Sequence, residues 1–322
     1  MSLGRRLFIV LAVLLPVCLA GWLAWRSAGG TGADPTTGRS PSASPSLSSP
    51  ARGASKGPEE PEGSDGRPGD GLLLRGTVVV LDPGHNPDNR EHTREIARRV
   101  DIGTGRKECD TTGTATDSGY AEALFTLDVA RRARAILEER GATVEFTHDG
   151  DRPYGPCIDE RARAGNEAGA DAVVSVHADG STAGNRGFHV ILPARVREGA
   201  ADTTRIVGPS RRLGEHLADA FAEATGFAPA DYLGPATADS GLVTRGDLGG
   251  LNLSRVPKVF LECGNMRDPH EARRFTDSEW RGRAARGIAD GVTAFLRDAD
   301  GRYHGETHKT DPPDRAGRPS VR

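Results

Sequence analysis

The sequence predicts a single α/β domain with a mostly parallel, twisted sheet covered by helices on both faces. Two observations support this fold class. Short runs rich in Val, Ile, Leu and Phe alternate along the chain with longer stretches in which apolar residues recur every three or four positions. The short runs are apolar throughout, as is typical of strands buried on both faces. We therefore expect the sheet to lie between two layers of helices.

The elements follow one another in a simple order. The predicted strands are residues 77–81, 143–147, 172–176, 188–192 and 258–261. The predicted helices are residues 121–140, 159–168, 210–225 and 278–296. The first helix carries Leu124, Leu127 and Leu137 at helical spacing, and Gly141 ends it. No internal repeat is visible, so residues 72–298 are expected to form one domain.

The N-terminal segment, residues 1–26, contains an almost uninterrupted apolar run from residue 7 to 25 behind two arginines. At about 1.5 Å per residue, this run just spans a hydrocarbon core about 30 Å thick. We favour an uncleaved membrane anchor with Trp22 and Trp25 at the outer interface. The alternative is a signal segment that is cleaved during secretion. Both alternatives place the rest of the chain outside the cytoplasm.

Residues 27–71 and 299–322 are rich in Pro, Ser, Gly and charge and have almost nothing apolar to bury. Such a composition cannot offset the entropy of ordering a chain, so both segments are predicted to be disordered. The first would act as a flexible linker with an r.m.s. span of about 35–40 Å. A spacer without a role is equally compatible with this composition.

The overall composition argues against two classes of site. The formal net charge of the 322 residues is only −3, which provides no basic surface for nucleic acid. The four cysteines form no CxxC pair, so a cysteine-ligated metal is not expected.

Polar side chains of the metal-binding or acid–base type follow three of the predicted strands. Asp82 and His85 follow the run TVVVL, His177 follows AVVSV, and Glu262 follows KVFL. Because parallel strands bring their carboxyl ends to one edge of a sheet, we expect these side chains to lie close together. Two histidines and a carboxylate are a common ligand set for catalytic zinc. The residues alone leave the carboxylate open between Glu122, Glu262 and Asp82.

The segments LDPGHN, SVHADG and VFLECGNMRDPHE, in this order and spacing, resemble the zinc-dependent N-acetylmuramoyl-L-alanine amidases of the amidase 3 family, closest to the mycobacterial and actinobacterial type. The resemblance covers residues 72–297. It implies that His85, Glu122 and His177 hold Zn²⁺ and that Glu262 is the catalytic glutamate. The implied substrate is peptidoglycan or its muropeptide fragments, cleaved between N-acetylmuramic acid and L-alanine of the stem peptide.

In such a site Glu262 would act as general base and then as general acid for a water activated by zinc. Two alternatives stay open: an exported zinc peptidase of other specificity, and a non-catalytic wall-binding module that keeps the fold. The loops after His85 and Glu262 depart from the family pattern, so no substrate-binding residue is assigned. Asp179, Asn265 and Arg245 lie near the motifs and are expected either to stabilise loops or to contact substrate.

A long polar segment, residues 86–120, separates the first histidine from Glu122 and is expected to act as a lid. It contains Cys109, and Cys157 lies in the loop YGPC. This pair resembles that of the mycobacterial-type members, which implies a Cys109–Cys157 disulfide that pins the lid near the zinc. Two buried free thiols are the alternative. Cys263 is expected to lie in the core.

Overall fold

The computed structural model describes residues 73–306 of the chain, with side chains up to residue 298. These residues form a mixed α/β domain with a mostly parallel central sheet, which confirms the predicted fold class. The predicted N-terminal segment (1–26) and linker (27–71) lie outside the described residues, as does the end of the predicted tail (307–322).

The secondary structure elements are numbered here in chain order. The strands are β1 (Val78–Pro83), β2 (Arg99–Asp101), β3 (Arg106–Glu108), β4 (Thr143–Phe146), β5 (Ala172–Asp179), β6 (His189–Pro193), β7 (Arg197–Glu198), β8 (Ala201–Asp202), β9 (Leu242–Arg245) and β10 (Lys258–Asn265). The helices are α1 (Thr93–Ile96), α2 (Glu122–Glu139), α3 (Ile158–Glu167), α4 (Val207–Thr225), α5 (Pro235–Ser240), α6 (Gly249–Asn252), α7 (Pro269–Thr276) and α8 (Ser278–Glu306).

The central sheet has six strands in the order β4-β1-β5-β10-β6-β9. Strand β1 pairs in parallel with β4 and β5, and β5 pairs in parallel with β10. Strand β6 runs antiparallel to β10, so its first residue, His189, lies opposite Glu262. The carboxyl ends of β1, β5 and β10 are therefore adjacent, and the start of β6 arrives at the same edge.

The two faces of the sheet carry cores of very different size. Val79 and Leu81 of β1 belong to the large core, which packs against helices α2, α4 and α8. Val80 points to the opposite face, since side chains alternate along a strand, and joins a small cluster with Val173. Helices α3 and α6 lie on this second face. The large core stabilises the domain, whereas the second face has a small apolar cluster and accommodates buried polar groups.

Among the differences from the sequence prediction, three concern the central sheet and its long helices. Strand β9 is not predicted, because it is a short edge strand whose last two residues are exposed. Helix α8 continues to Glu306, past its predicted end at residue 296, and no proline interrupts it. Leu124 is 44% exposed although it is predicted on the buried face of α2. It shares an outward-facing stripe with Asp128 and Arg131, at the spacing of one turn.

No helix within residues 73–306 is long and apolar enough to cross a membrane.

Arg161 of α3 fixes the end of strand β1 on the second face of the sheet. The side chain is only 5% exposed, and its guanidinium donates five hydrogen bonds. The acceptors are the carboxylates of Asp82 (2.8 Å) and Asp110 (2.9 Å) and the carbonyl groups of Pro83 (2.6 Å), His85 (2.9 Å) and Pro156 (2.9 Å). One side chain thus satisfies the backbone of the turn that carries His85.

Asp82 is the anionic centre of this buried network. Its second carboxylate oxygen accepts hydrogen bonds from Lys258 Nζ at 3.0 Å and from the hydroxyl of Ser175 at 2.8 Å. Burial alone would raise the pKa of Asp82, but Lys258 and Arg161 outweigh it and hold the pKa well below its usual range. The carboxylate is therefore ionised, and it links β1, β5, β10 and α3.

We expect Arg161→Lys to lower the free energy of unfolding by at least about 2 kcal/mol, because one ammonium group cannot serve five acceptors spread around a planar guanidinium. Arg163→Lys is the matched control: it lies on the same helix but is 55% exposed, so its effect should stay within about 0.5 kcal/mol. Urea denaturation measures both values. Equal stability of the two variants would contradict this role of Arg161.

Candidate active site

The three predicted metal ligands come together at the carboxyl edge of the sheet. His85 follows β1, His177 lies in β5, and Glu122 is the first residue of α2. The two carboxylate oxygens of Glu122 lie 3.2 Å from His85 Nε2 and 3.0 Å from His177 Nδ1. One ligand atom from each residue lies within 4.8 Å of the other two. A single ion placed among these atoms would reach all three.

The backbone of the turn after β1 lies very close to side chains of the site. A Cβ atom at Gly84 would lie 2.4 Å from the ring of His177, so only glycine fits there. His85 has a φ of 61°, in the left-handed region that residues other than glycine rarely adopt. A Cβ atom at Gly113 would lie 2.7 Å from the ring of His85 and 2.9 Å from the carboxylate of Glu122. Backbone strain of this kind is concentrated at functional sites.

Glu122 is buried, at 3% exposure, and is held in one orientation. Its two carboxylate oxygens accept hydrogen bonds from the backbone N–H of Thr114 (2.9 Å) and of Ala178 (3.1 Å). Burial alone would raise the pKa of Glu122, but His85 and His177 outweigh it and hold the pKa well below its usual range. The carboxylate is therefore an anion fixed between the two imidazole rings.

The second ring nitrogen of His85 is occupied by the protein. Its Nδ1 lies 3.1 Å from the carbonyl oxygen of Thr111 and 3.3 Å from the carboxylate of Asp110. Because a carbonyl oxygen only accepts, Nδ1 carries a hydrogen, and in the neutral ring the lone pair of Nε2 is free to bind a metal. Burial would lower the pKa of His85, but Glu122 and Asp110 raise it to about 10. The same negative field favours a bound cation.

This arrangement fits a zinc ion. Two imidazole nitrogens and one carboxylate oxygen are a common protein ligand set for catalytic zinc, with the fourth position left for water or substrate. The outer sides of the ligands are also fixed, as in many metal sites. His85 contacts Asp110, while the ring of His177 stacks on Phe260 with centroids 5.2 Å apart and an interplanar angle of 15°.

Glu262 of β10 lies beside His177 in the pairing of β10 with β5. Its side chain is partly buried, and no described residue donates a hydrogen bond to the carboxylate. Burial raises the pKa of Glu262 well above its usual range, and the negative charges of Glu122 and Asp179 raise it further. A carboxylate in this position accepts a proton more readily than an exposed one does.

The start of β6 and a nearby tyrosine border Glu262 on its other side. His189 pairs with Glu262 across the antiparallel strands, and burial lowers the pKa of His189 to about 4, so the ring is neutral near pH 7. The hydroxyl of Tyr232 donates a hydrogen bond of 2.6 Å to the carboxylate of Asp179. This hydrogen bond holds Asp179 in place close to the site.

Asn265 and Arg245 are engaged in loop contacts. The amide of Asn265 donates to the carbonyl groups of Thr182 (3.0 Å) and Asn185 (2.9 Å). The guanidinium of Arg245 forms two hydrogen bonds, of 2.9 and 2.7 Å, with the carboxylate of Asp247. Neither side chain belongs to the cluster of predicted metal ligands, and the contacts of both are with loop residues.

The polar segment between His85 and Glu122 folds against the site. It contains α1 and the β2–β3 hairpin, and a disulfide between Cys109 and Cys157 joins it to the start of α3. A cavity of about 420 Å³ lies between residues of this hairpin and the side chains of His85 and His177. The action of the segment as a lid stays a prediction. Cys263 lies in the large core, as expected.

Two residues that support the site are not identified by the sequence. Asp110 lies in a polar loop, where no strand or helix periodicity indicates its direction. Arg161 is one of two arginines on α3, and nothing in the sequence distinguishes it from the exposed Arg163. The signal that could have found them is the cysteine pair, because Asp110 follows Cys109 and Arg161 lies one turn after Cys157.

Known proteins are similar to this chain in sequence and in fold. The family described as N-acetylmuramoyl-L-alanine amidase matches residues 79–294. The chain is 38% identical to N-acetylmuramoyl-L-alanine amidase Rv3717 of Mycobacterium tuberculosis over 224 residues, which is 69% of this chain and 88% of that protein.

Two crystal structures of the amidase Ami1 are also similar. The enzyme from Mycobacterium smegmatis is 38% identical, with a TM-score of 0.63 and coverage of 70% of this chain and 99% of that one. The apo form from Mycobacterium abscessus is 39% identical, with a TM-score of 0.63 and coverage of 69% and 100%. The matched range contains the histidine–glutamate–histidine cluster and Glu262. The chain therefore belongs to the amidase 3 family and is an N-acetylmuramoyl-L-alanine amidase, a hydrolase of cell-wall peptidoglycan.

Proposed function

We propose that this amidase cleaves the bond between N-acetylmuramic acid and L-alanine with a zinc ion held by His85, Glu122 and His177, and with Glu262 as general base and acid. One observation carries the proposal: four suitable side chains converge at one edge of the sheet. Three of them offer donor atoms within 4.8 Å of one another, and the fourth is a carboxylate on the neighbouring strand.

The reaction is the hydrolysis of an amide. When bound, zinc supplies Lewis acidity, which polarises the carbonyl group and lowers the pKa of water towards 7. Glu262 takes a proton from the attacking water, whose oxygen forms a bond to the carbonyl carbon. The carbon–nitrogen bond then breaks, and Glu262 returns the proton to the leaving nitrogen. The products are a lactyl carboxylate on muramic acid and a free amino terminus on L-alanine.

The surroundings of Glu262 support its role as a proton carrier. Within the described part of the chain, no group donates a hydrogen bond to its carboxylate, so both oxygens are available to water. Burial and the nearby carboxylates of Glu122 and Asp179 raise its pKa. Such a group accepts a proton and then releases it to a more basic amine, as a general base that becomes a general acid must.

We also propose that the enzyme acts outside the cytoplasmic membrane and is anchored there by residues 1–26. The Cys109–Cys157 disulfide supports this location, because such bonds persist in oxidising compartments. Cell fractionation with N-terminal sequencing tests it, and we expect the intact N-terminus in the membrane fraction. A soluble exported form that lacks the segment would favour the cleaved signal instead, and retention in the cytoplasm would contradict export.

We expect Glu262→Gln to lower kcat by roughly 100- to 10,000-fold, because glutamine cannot take up the proton of the attacking water. Zinc content and the melting temperature should stay close to those of the parent. The assay is the release of new L-alanine amino termini from purified peptidoglycan. Glu145→Gln, at an exposed position of edge strand β4, is the matched control and should keep full activity. Substantial activity in Glu262→Gln would overturn the assigned role.

We expect His177→Ala to lose bound zinc, because two remaining ligands hold the ion far more weakly than three. In the parent, free zinc at about 100 times the Kd should stabilise the fold by about 2.7 kcal/mol, and in the variant this stabilisation should vanish. Elemental analysis and thermal melts with and without zinc measure both effects. His270→Ala removes an exposed histidine and serves as the control. A variant at His177 that keeps stoichiometric zinc would exclude this residue as a ligand.

A further inference from the structure

We propose that the Cys109–Cys157 disulfide positions Asp110 against His85 and thereby raises the affinity of the site for zinc. This inference rests on the proposed zinc site. It makes Asp110 a positioning residue, which acts through His85 and does not touch the metal. It also gives the disulfide a function beyond the stability of the fold.

Asp110 contacts His85 at the ring nitrogen that faces away from Glu122. One carboxylate oxygen of Asp110 lies 3.3 Å from His85 Nδ1, while Nε2 of the same ring faces Glu122 at 3.2 Å. The carbonyl oxygen of Thr111 also contacts Nδ1, at 3.1 Å, and a carboxylate beside it adds to the fixed orientation of the ring and makes the ring a better donor to a metal. Asp110 is 6% exposed, so water does not weaken this contact appreciably.

Asp110 itself is held by α3. Its other carboxylate oxygen accepts a hydrogen bond of 2.9 Å from Arg161 on α3. The residue before it, Cys109, is bonded to Cys157, which lies directly before the first residue of α3. The carbonyl oxygen of Cys109 also accepts a hydrogen bond of 2.8 Å from the backbone N–H of Ile158. The Cys109-Asp110 dipeptide is therefore joined to one helix by a covalent bond, an ion pair and a backbone hydrogen bond.

The large core of the domain contributes almost nothing to holding this segment. The large core of the domain includes no residue between 86 and 120 except Tyr120, which packs against its margin. The local apolar cluster under the segment consists of Val100, Cys109 and Cys157, with Ile158 packed against them. Two of its three buried members are the disulfide itself. Loss of the disulfide should therefore loosen Asp110 while the large core stays packed.

A simpler role, as a clip that only stabilises the fold, makes a different prediction. A clip of that kind would change the melting temperature and leave the zinc affinity of the folded protein unchanged. The positioning role requires the zinc affinity to fall, and to fall through Asp110. A double-mutant cycle on zinc affinity separates the two roles, because changes that act through the same contact are not additive.

The experiment measures the zinc Kd of the full chain by competition with a chromophoric chelator, well below the melting temperature of each variant. The variants are Asp110→Asn, the double change Cys109→Ser/Cys157→Ser, and all three changes together. We expect Asp110→Asn and the double change each to weaken zinc binding by about 10- to 100-fold. The zinc Kd of the triple variant should not exceed the higher of the two values measured for Asp110→Asn and for the double change. Asp128→Asn also removes a carboxylate that pairs with arginines, Arg132 and Arg281, and should leave the Kd unchanged.

Each outcome decides a separate point. An unchanged Kd in Asp110→Asn, which keeps the disulfide, overturns the inference even if the serine variant fails to fold. An unchanged Kd in a folded serine variant with a lower melting temperature shows that the disulfide is only a clip. Losses that multiply in the triple variant show that the disulfide does not act through Asp110. Failure of the parent itself to bind stoichiometric zinc overturns the proposed zinc site, and this inference falls with it.

Discussion

The guanidinium of Arg161 makes the contacts on which the geometry of the site depends. It donates to carbonyl groups on both sides of the glycine that precedes His85 and to the carboxylates of Asp82 and Asp110. A buried arginine is tolerated only when its donors are satisfied and its charge is balanced. Both conditions hold here, so Arg161 fixes the turn after β1. His85 can therefore keep a backbone conformation that would otherwise be strained.

The parallel sheet supplies the second constraint. It brings the ends of β1, β5 and β10 to one edge, so His85, His177 and Glu262 lie together although they are far apart in the sequence. Glu122 completes the set from the first turn of α2. The electrostatics then separate the two glutamates, because the histidines hold the pKa of Glu122 low whereas burial and Glu122 raise that of Glu262. One carboxylate suits a metal ligand, and the other suits a proton carrier.

The sequence predicts the parts of the site that follow from strand ends. His177 and Glu262 come directly after strongly apolar runs, and His85 comes four residues after one. A parallel sheet then brings the ends of these runs to one edge. Glu122 lies at the start of a helix, where no strand pattern points to it, so only the family resemblance distinguishes it as a ligand from Glu262 and Asp82. The same ligand set also serves zinc peptidases, and it is the family match that assigns an amidase.

Other features could not be predicted, because they depend on contacts between distant residues. The orientation of Asp110 depends on its contact with Arg161, 51 positions along the chain. Leu124 is exposed because the buried stripe of α2 is defined by the sheet and by α8, neither of which the spacing of leucines within α2 reveals. The contacts of supporting residues such as Asp110 are therefore visible only in the folded structure, whereas the proposed ligands can be located in the sequence.

The most direct test of this account is anomalous diffraction at the zinc absorption edge from crystals of the zinc-loaded enzyme. We expect one strong peak at about 2.0–2.2 Å from His85 Nε2, His177 Nδ1 and a carboxylate oxygen of Glu122. We also expect Glu262 to lie near the peak without being bound to the metal. A peak at another place in the domain, or one with Glu262 in the place of Glu122 as ligand, would contradict the account.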